Sequence, residues 1–214
     1  MNKKNIIVVG GSQGIGKSIC EELKFKYNVI NMSRKKNEEV DNIYCDVTIS
    51  SSVKKAFEQL NDIPYGIIYC SGFVKVESIY EITEEMLLKT YQVNILGAFR
   101  CVQEYVKMNK QEGKIVLIAS TSGIRASPAW SSYSSSKSAL INMGLSLSEE
   151  LKSDNKKVYI VSPGRTATEL RRKLCPTENQ NLIMKPEIIG KFIFKLIDED
   201  DGYLSNQNII IKKQ

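Results

Sequence analysis

The sequence predicts an α/β fold: a single-domain, doubly wound parallel sheet of about seven strands, with helices on both faces. Three observations carry this expectation. Short apolar, β-branched runs alternate with amphipathic helical segments from the first residues onward. A glycine-rich stretch, Gly10-Gly11-Ser12-Gln13-Gly14-Ile15-Gly16, joins the first run to the first helical segment. The 214 residues show no repeat, linker or change of composition, so one domain spanning residues 1–214 is expected.

Asn5–Val9 reads as a strand buried on both faces, since it has no polar alternation. A helix is expected from Ile15 to about Lys26, with Ile15, Ile19, Cys20 and Leu23 on its apolar face and Lys17, Glu21, Glu22 and Lys24 outward. Strands follow at Asn28–Met32 and Ile43–Cys45. A helix at Ser51–Leu60 has Ser and Thr caps available, and Gly66–Cys70 is a further strand. Thr83 opens a long helical region running towards Met108. Lys114–Ala119 is a strand, Ser132–Lys152 a long helix, and Val158–Val161 a strand ended by Ser162-Pro163-Gly164. A less regular segment covers Glu169–Lys185. A helix from Pro186, a favourable first helical residue, reaches about Asp198, and Asn208–Ile211 is the last strand.

Composition removes several classes of function. With no histidine in the chain, Ser-His-Asp and Cys-His nucleophilic sites are excluded, and no metal site is expected. Proton transfer near neutral pH then falls to Tyr, Lys, Cys or carboxylates. The five cysteines, at 20, 45, 70, 101 and 175, never fall in Cys-x-x-Cys spacing and read as reduced thiols of a cytoplasmic protein. The apolar run at Ile6–Val9 is too brief for a secretory signal, and no run approaches a membrane span. The formal charge of +6 comes from lysines spread along the chain among Glu and Asp, not from a basic stripe. That distribution predicts no nucleic-acid partner and a modest attraction for an anionic cofactor.

Glycines between a strand and a helix allow the backbone to approach a phosphate closely, and the helix N-terminus attracts the anion. Gly11-x-x-x-x-Gly16-Lys17-Ser18 also satisfies the string of a nucleotide-triphosphate loop, so a phosphotransferase is a competing expectation. The end of the second strand separates the two. A dinucleotide site needs an acid for a ribose hydroxyl there, or a base for a 2′-phosphate. Ser33 and Arg34 stand at that point, with no acid until Glu38, which favours NADP(H) over NAD(H). Asp46, followed by Val47, is placed to accept from an adenine amino group or else to cap a turn.

Tyr133 and Lys137 stand four residues apart, so both lie on one face of a helix, where an ammonium favours phenolate. Ser120, at a strand end, can hold a substrate oxygen against that phenol. Here the chain resembles the short-chain dehydrogenase/reductase family, and the resemblance covers nearly its whole length. Gly10, Gly14 and Gly16 match the family's glycine loop, and Asp46 its adenine-contacting acid. Asn94 in Val93-Asn94-Ile95-Leu96-Gly97, with Ser120, Tyr133 and Lys137, matches its catalytic tetrad. Pro163-Gly164, with Thr166 and Thr168, matches the segment on the nicotinamide side.

The resemblance implies a Rossmann-like fold and an NAD(P)-dependent oxidoreductase acting on a carbonyl and its alcohol. Tyr133 would be the proton donor, with its proton affinity lowered by Lys137. Ser120 would bond the substrate oxygen, Lys137 would grip the nicotinamide ribose, and Asn94 would hold a relay water. Ser12, Gln13 and Ile15 complete the expected loop contacts, and Cys70, Ser71 and Gly72 the contacts beyond the fourth strand. Trp130 and Pro128 are expected to line one wall.

The chain also departs from the family. Val9 replaces a usual threonine, and Tyr69-Cys70-Ser71-Gly72 replaces Asn-Asn-Ala-Gly, which implies altered support for the central strands. The segment at 169–185 is a shortened substrate lid. A 3-oxoacyl thioester on an acidic carrier is the first substrate expectation, with Arg125, Arg171 and Arg172 available to meet that carrier. The alternatives are a small ketone, sugar or polyketide-like substrate, or an NADP-binding protein without catalysis. The resemblance further implies a homodimer or homotetramer paired through the helices of Asn94 and Tyr133.

Overall fold

The computed structural model describes residues 3–213. Among them, seven strands form one sheet in the order β3-β2-β1-β4-β5-β6-β7, every neighbouring pair parallel. These are β1 Asn5–Val9, β2 Asn28–Ser33, β3 Asp41–Tyr44, β4 Gly66–Tyr69, β5 Gly113–Ile118, β6 Lys156–Pro163 and β7 Asn208–Ile211. The helices are α1 Gly14–Leu23, α2 Ser50–Glu58, α3 Glu84–Tyr91, α4 Gly97–Met108, α5 Ser131–Glu150, α6 Glu169–Leu174 and α7 Pro186–Asp198.

Alternate side chains of each central strand feed two separate cores. Ile7 and Val9 of β1 join Ile67, Tyr69, Ile115 and Leu117 beneath α2, α4 and α5. Ile6 and Val8 point the other way, to Ile68, Val116, Ile19 and Leu23 beneath α1 and α7. Full burial of each such Ile or Val contributes about 1.5–3 kcal/mol, which is why these strands carry no polar alternation. The α1–α7 packing is close because Gly190 lies against Ser18: a Cβ there would come within 2.7 Å of the Ser18 hydroxyl.

Several boundaries differ from expectation. α1 ends at Leu23, three residues early, and Lys24–Lys26 turn back towards β2. α2 starts after Ile49 with no side-chain cap, because the Ser52 hydroxyl instead accepts the backbone N–H of Asp46. α3 is capped by Thr83, whose side chain accepts from the Met86 N–H. β6 continues to Pro163, paired opposite Ile211, so the Ser162-Pro163 step lies inside the sheet. The segment at 169–185 holds α6 and a short 3-10 turn at Gln180–Leu182.

Candidate active site

β1 pairs with β2 on one side and β4 on the other, so a crevice opens at their carboxyl ends, where open α/β sheets place their ligands. The glycine loop forms its floor. Gly10 has φ +87°, and a Cβ on it would lie 2.7 Å from the Ser71 nitrogen. A Cβ on Gly16 would lie 2.1 Å from the Gly10 carbonyl oxygen, so only glycine lets the loop close on itself. α1 then begins after Gln13 with no side-chain cap, which leaves its first N–H groups directed at the cleft.

The cleft holds about 420 Å³ and runs from Arg34 to Tyr133. Of the expected cofactor contacts, its walls contain Gly10, Ser12, Gln13, Gly14, Ile15 and Gly16 from the loop. They also contain Ser33, Arg34, Asp46 and Val47 at one end, and Cys70, Ser71, Gly72, Tyr133, Lys137 and Thr168 at the other. Pro163, Gly164 and Thr166 do not line it. The longer β6 buries Pro163 in the sheet, Gly164 donates its N–H to Ile211, and the Thr166 hydroxyl turns back to the Gly164 carbonyl.

The phosphate-loop alternative does not fit this arrangement. Ser18 is buried against Gly190 on the far side of α1, and Lys17 is half-exposed with its ammonium 3.6 Å from Glu21. Neither side chain reaches the cleft.

Asp46 lines the cleft and also caps a turn: one carboxylate oxygen accepts from the backbone N–H and the hydroxyl of Thr48. Burial would raise its pKa, but the Thr48 hydrogen bonds and the Arg34 charge leave it below the ordinary value. Lys35 stands beside Arg34 in the same wall, a second cation that the sequence reading passed over. Val74, Val93, Ile118, Ala119 and Leu170 also contribute, and no local pattern marks them.

At the inner end, Lys137 is buried and donates to the Ile118 carbonyl at 2.9 Å. Burial brings its pKa down to about 8. Tyr133 lies one helical turn away, with the Lys137 nitrogen 5.8 Å from its ring centre. Burial pushes the phenol up to about 12, opposed by the neighbouring Ser120 hydroxyl and by the charge of Arg171. The Lys137 ammonium is directed at a backbone carbonyl, and desolvation of the phenol outweighs the lowering contributions. Ser120 caps the 3-10 turn Thr121–Gly123, its hydroxyl accepting from the Ser122 N–H.

Asn94 lies fully buried in a π-helical turn, Gln92–Leu96, between α3 and α4. Its side-chain amide donates to the Phe73 carbonyl and the Ser136 hydroxyl and accepts from the Phe73 N–H. Both amide protons are therefore spent, and the relay-water role finds no free N–H on this side chain. In the π turn Gly97 donates to Gln92, so the Val93 carbonyl takes the phenol of Tyr69 as its partner. Tyr69, within the departure from Asn-Asn-Ala-Gly, thus ties β4 to this turn. Trp130 packs edge-on against Tyr133 with ring centres 5.8 Å apart, whereas Pro128 is exposed and forms no wall.

Residues 4–179 match the short chain dehydrogenase family. The chain belongs to that family and is an NAD(P)-dependent oxidoreductase with a nucleotide-binding Rossmann-like fold. It is 28% identical over 179 residues to a 3-oxoacyl-[acyl-carrier-protein] reductase, MabA, of Mycobacterium avium, covering 80% of this chain and 70% of that one. The structure described as 4-hydroxyisoleucine dehydrogenase complexed with NADH superposes with a TM-score of 0.86 at 27% identity, over 97% of this chain and 96% of the other. The structure described as ElxO with NADP bound superposes with a TM-score of 0.86 at 24% identity, over 98% and 97%, and shows the shared fold. Among the described residues, no helix is long and apolar enough to cross a membrane, and no group of metal-ligating side chains converges.

Proposed function

We propose that this protein is an NADP(H)-dependent reductase interconverting a carbonyl and a secondary alcohol, with 3-oxoacyl thioesters as its substrate class. The observation that carries the reaction type is the meeting of Tyr133 and Lys137 at the inner end of the glycine-loop cleft, with Ser120 beside the phenol just beyond its wall. The cleft suits a dinucleotide: glycines clear the floor, uncapped N–H groups of α1 suit a pyrophosphate, and Ser33, Arg34 and Lys35 suit a 2′-phosphate. Relatives with either cofactor share the fold, so the NADP preference rests on those basic residues and on the lack of an acid at the end of β2.

When bound, the nicotinamide cofactor supplies the hydride. Tyr133 gives its proton to the substrate oxygen, and Ser120 orients that oxygen by hydrogen bonding. Lys137, fixed by Ile118, keeps a cation beneath the phenol and near the ribose side of the cleft. Asn94 ties the π turn to Phe73 and α5, holding the tetrad's elements together; any water it relays is held through its remaining oxygen lone pair or its backbone. The thioester assignment is supported by the likeness to MabA and by exposed Arg125 and Arg172 outside the cleft. A homodimer or homotetramer is supported by apolar Leu88 of α3, Leu96 of the π turn and Phe99 of α4, which stand exposed.

The test follows NADPH consumption with acetoacetyl-CoA, ethyl acetoacetate and cyclohexanone in parallel. Faster turnover of the thioester supports the reading. Faster turnover of the simple ketone would favour the small-ketone alternative. NADPH binding with no turnover of any carbonyl would favour a non-catalytic role.

A further inference from the structure

A second cavity, of about 660 Å³, opens at the carboxyl ends of β5, β6 and β7 and shares no lining residue with the cofactor cleft. It starts at Thr121, the residue after Ser120, whereas Ala119, the residue before it, lines the cofactor cleft. Ser120 therefore stands between the two cavities, its hydroxyl holding the Thr121–Gly123 turn through the Ser122 N–H at 3.1 Å. Gly164, absent from the cofactor cleft, lines this one, and a Cβ on it would come within 3.0 Å of the Lys212 Cβ. Backbone bonds fix the walls. Arg125 donates its N–H to the Thr121 carbonyl at 3.1 Å, Gly164 to Ile211 at 2.7 Å and Met184 to Arg165 at 3.1 Å.

Four cationic side chains line the cavity, Arg125, Arg165, Lys212 and Lys213, and no carboxylate does. Among the described residues, the one carboxylate paired with any of them is Glu178, 3.2 Å from Arg165 and shared with Arg171. Apolar Ile124, Leu182 and Ile210 line the same space and stand exposed. Uncompensated cations beside uncovered apolar side chains, in a cavity of this size, suit an amphiphilic anion. These cations are not those available to a cofactor 2′-phosphate, which are Arg34 and Lys35 in the other cleft. We propose that this cavity receives the phosphate-bearing pantetheine arm of the thioester substrate, with Arg125 and Lys212 binding the phosphate. The proposal rests on reading the substrate as a 3-oxoacyl thioester. With the reacting carbonyl held at Ser120 and Tyr133, the arm leaves past Thr121, and Ile124, Leu182 and Ile210 cover its chain. The phosphate then meets two cations through charge-assisted hydrogen bonds.

The test compares acetoacetyl-4′-phosphopantetheine with acetoacetyl-pantetheine, two thioesters that differ only in the phosphate, on the full chain with NADPH. Calorimetric titration with 4′-phosphopantetheine, pantetheine and inorganic phosphate supplies a second readout that needs no turnover. Wild type is expected to favour the phosphorylated thioester in kcat/KM by about tenfold, with the difference in KM, as for gaining one charge-assisted contact at a partly exposed site. The ratio is expected to fall towards one in the double variant Arg125→Ala/Lys212→Ala, whose substituted side chains are exposed. Calorimetry is expected to rank 4′-phosphopantetheine above both pantetheine and inorganic phosphate. Equal kcat/KM and equal affinity for the phosphorylated and unphosphorylated compounds in wild type would overturn the proposal, as would a preference that survives intact in the double variant. So would 4′-phosphopantetheine binding no tighter than inorganic phosphate, which would leave a site for free anions alone. Absence of turnover with either thioester, alongside a calorimetric preference lost in the double variant, would instead reject the reductase reading and uphold the phosphate site.

Discussion

Lys137 donates its ammonium to the Ile118 carbonyl at 2.9 Å, with the Tyr133 ring centre 5.8 Å away. The lysine is thus fixed by the end of β5 and buried, which lowers its pKa to about 8 from the ordinary lysine value.

A buried lysine of this kind makes stability depend on pH with a defined sign. Between about 8 and the unfolded-state value of about 10.4, the unfolded chain binds the proton that the folded chain has released, so stability rises with pH across that window. Below it the folded state carries the cost of burying the charge. The melting temperature of wild type relative to Lys137→Met is therefore expected to rise from pH 8 to pH 10. A difference that is flat or falls across that range would contradict the burial account.

Arg34 is placed to decide between the two dinucleotides. Its loss in Arg34→Ala removes a charge-assisted hydrogen bond of about 1.5–3 kcal/mol, so NADPH affinity is expected to fall by about 10- to 100-fold. NADH affinity is expected to stay within about twofold, since that cofactor has no 2′-phosphate to lose. Fluorescence titration of both cofactors checks this, and equal losses for the two would refute the assignment.

Tyr69→Phe keeps the ring in the core and removes only the hydroxyl that satisfies the Val93 carbonyl in the π turn. An unsatisfied buried acceptor costs about 1–3 kcal/mol, so denaturant unfolding is expected to shift by that amount. Gly97→Ala is expected to be worse, because its Cβ would meet the Tyr69 hydroxyl at 2.4 Å and Val47 at 2.9 Å.

Lys17→Ala tests the discarded phosphate-loop reading. Because Lys17 is half-exposed and pairs with Glu21 on the surface of α1, NADPH affinity is expected to change by no more than about twofold. A large loss would bring the nucleotide-triphosphate reading back.

Much of this architecture was legible because its signals are local. Ile6–Val9 and Ile115–Leu117 are buried on both faces and so read as continuous apolar runs, and Pro186 and Thr83 mark helix starts by their own chemistry. The Tyr133–Lys137 spacing placed both residues correctly on α5. What the sequence did not reveal depends on distant partners. The direction of the Lys137 ammonium is set by Ile118, and the partner of the Val93 carbonyl in the π turn is Tyr69, 24 positions away. The fate of Pro163 follows from β7 pairing far enough along β6 to draw it into the sheet, and Thr166, beyond the strand, turns its hydroxyl back to Gly164. Arg171, expected to be available to an acidic carrier, is instead paired with Glu178 and set beside the Trp130 ring, contacts that no local pattern marks.

The central claim is that Tyr133 is the proton donor of an NADPH-dependent carbonyl reduction. Comparing wild type with Tyr133→Phe in NADPH oxidation driven by acetoacetyl-CoA tests it most directly, with NADPH affinity measured on both proteins. The account predicts that kcat falls by about 10²- to 10⁴-fold, as expected for losing a general acid, while NADPH still binds. Equal turnover by the two proteins would contradict it.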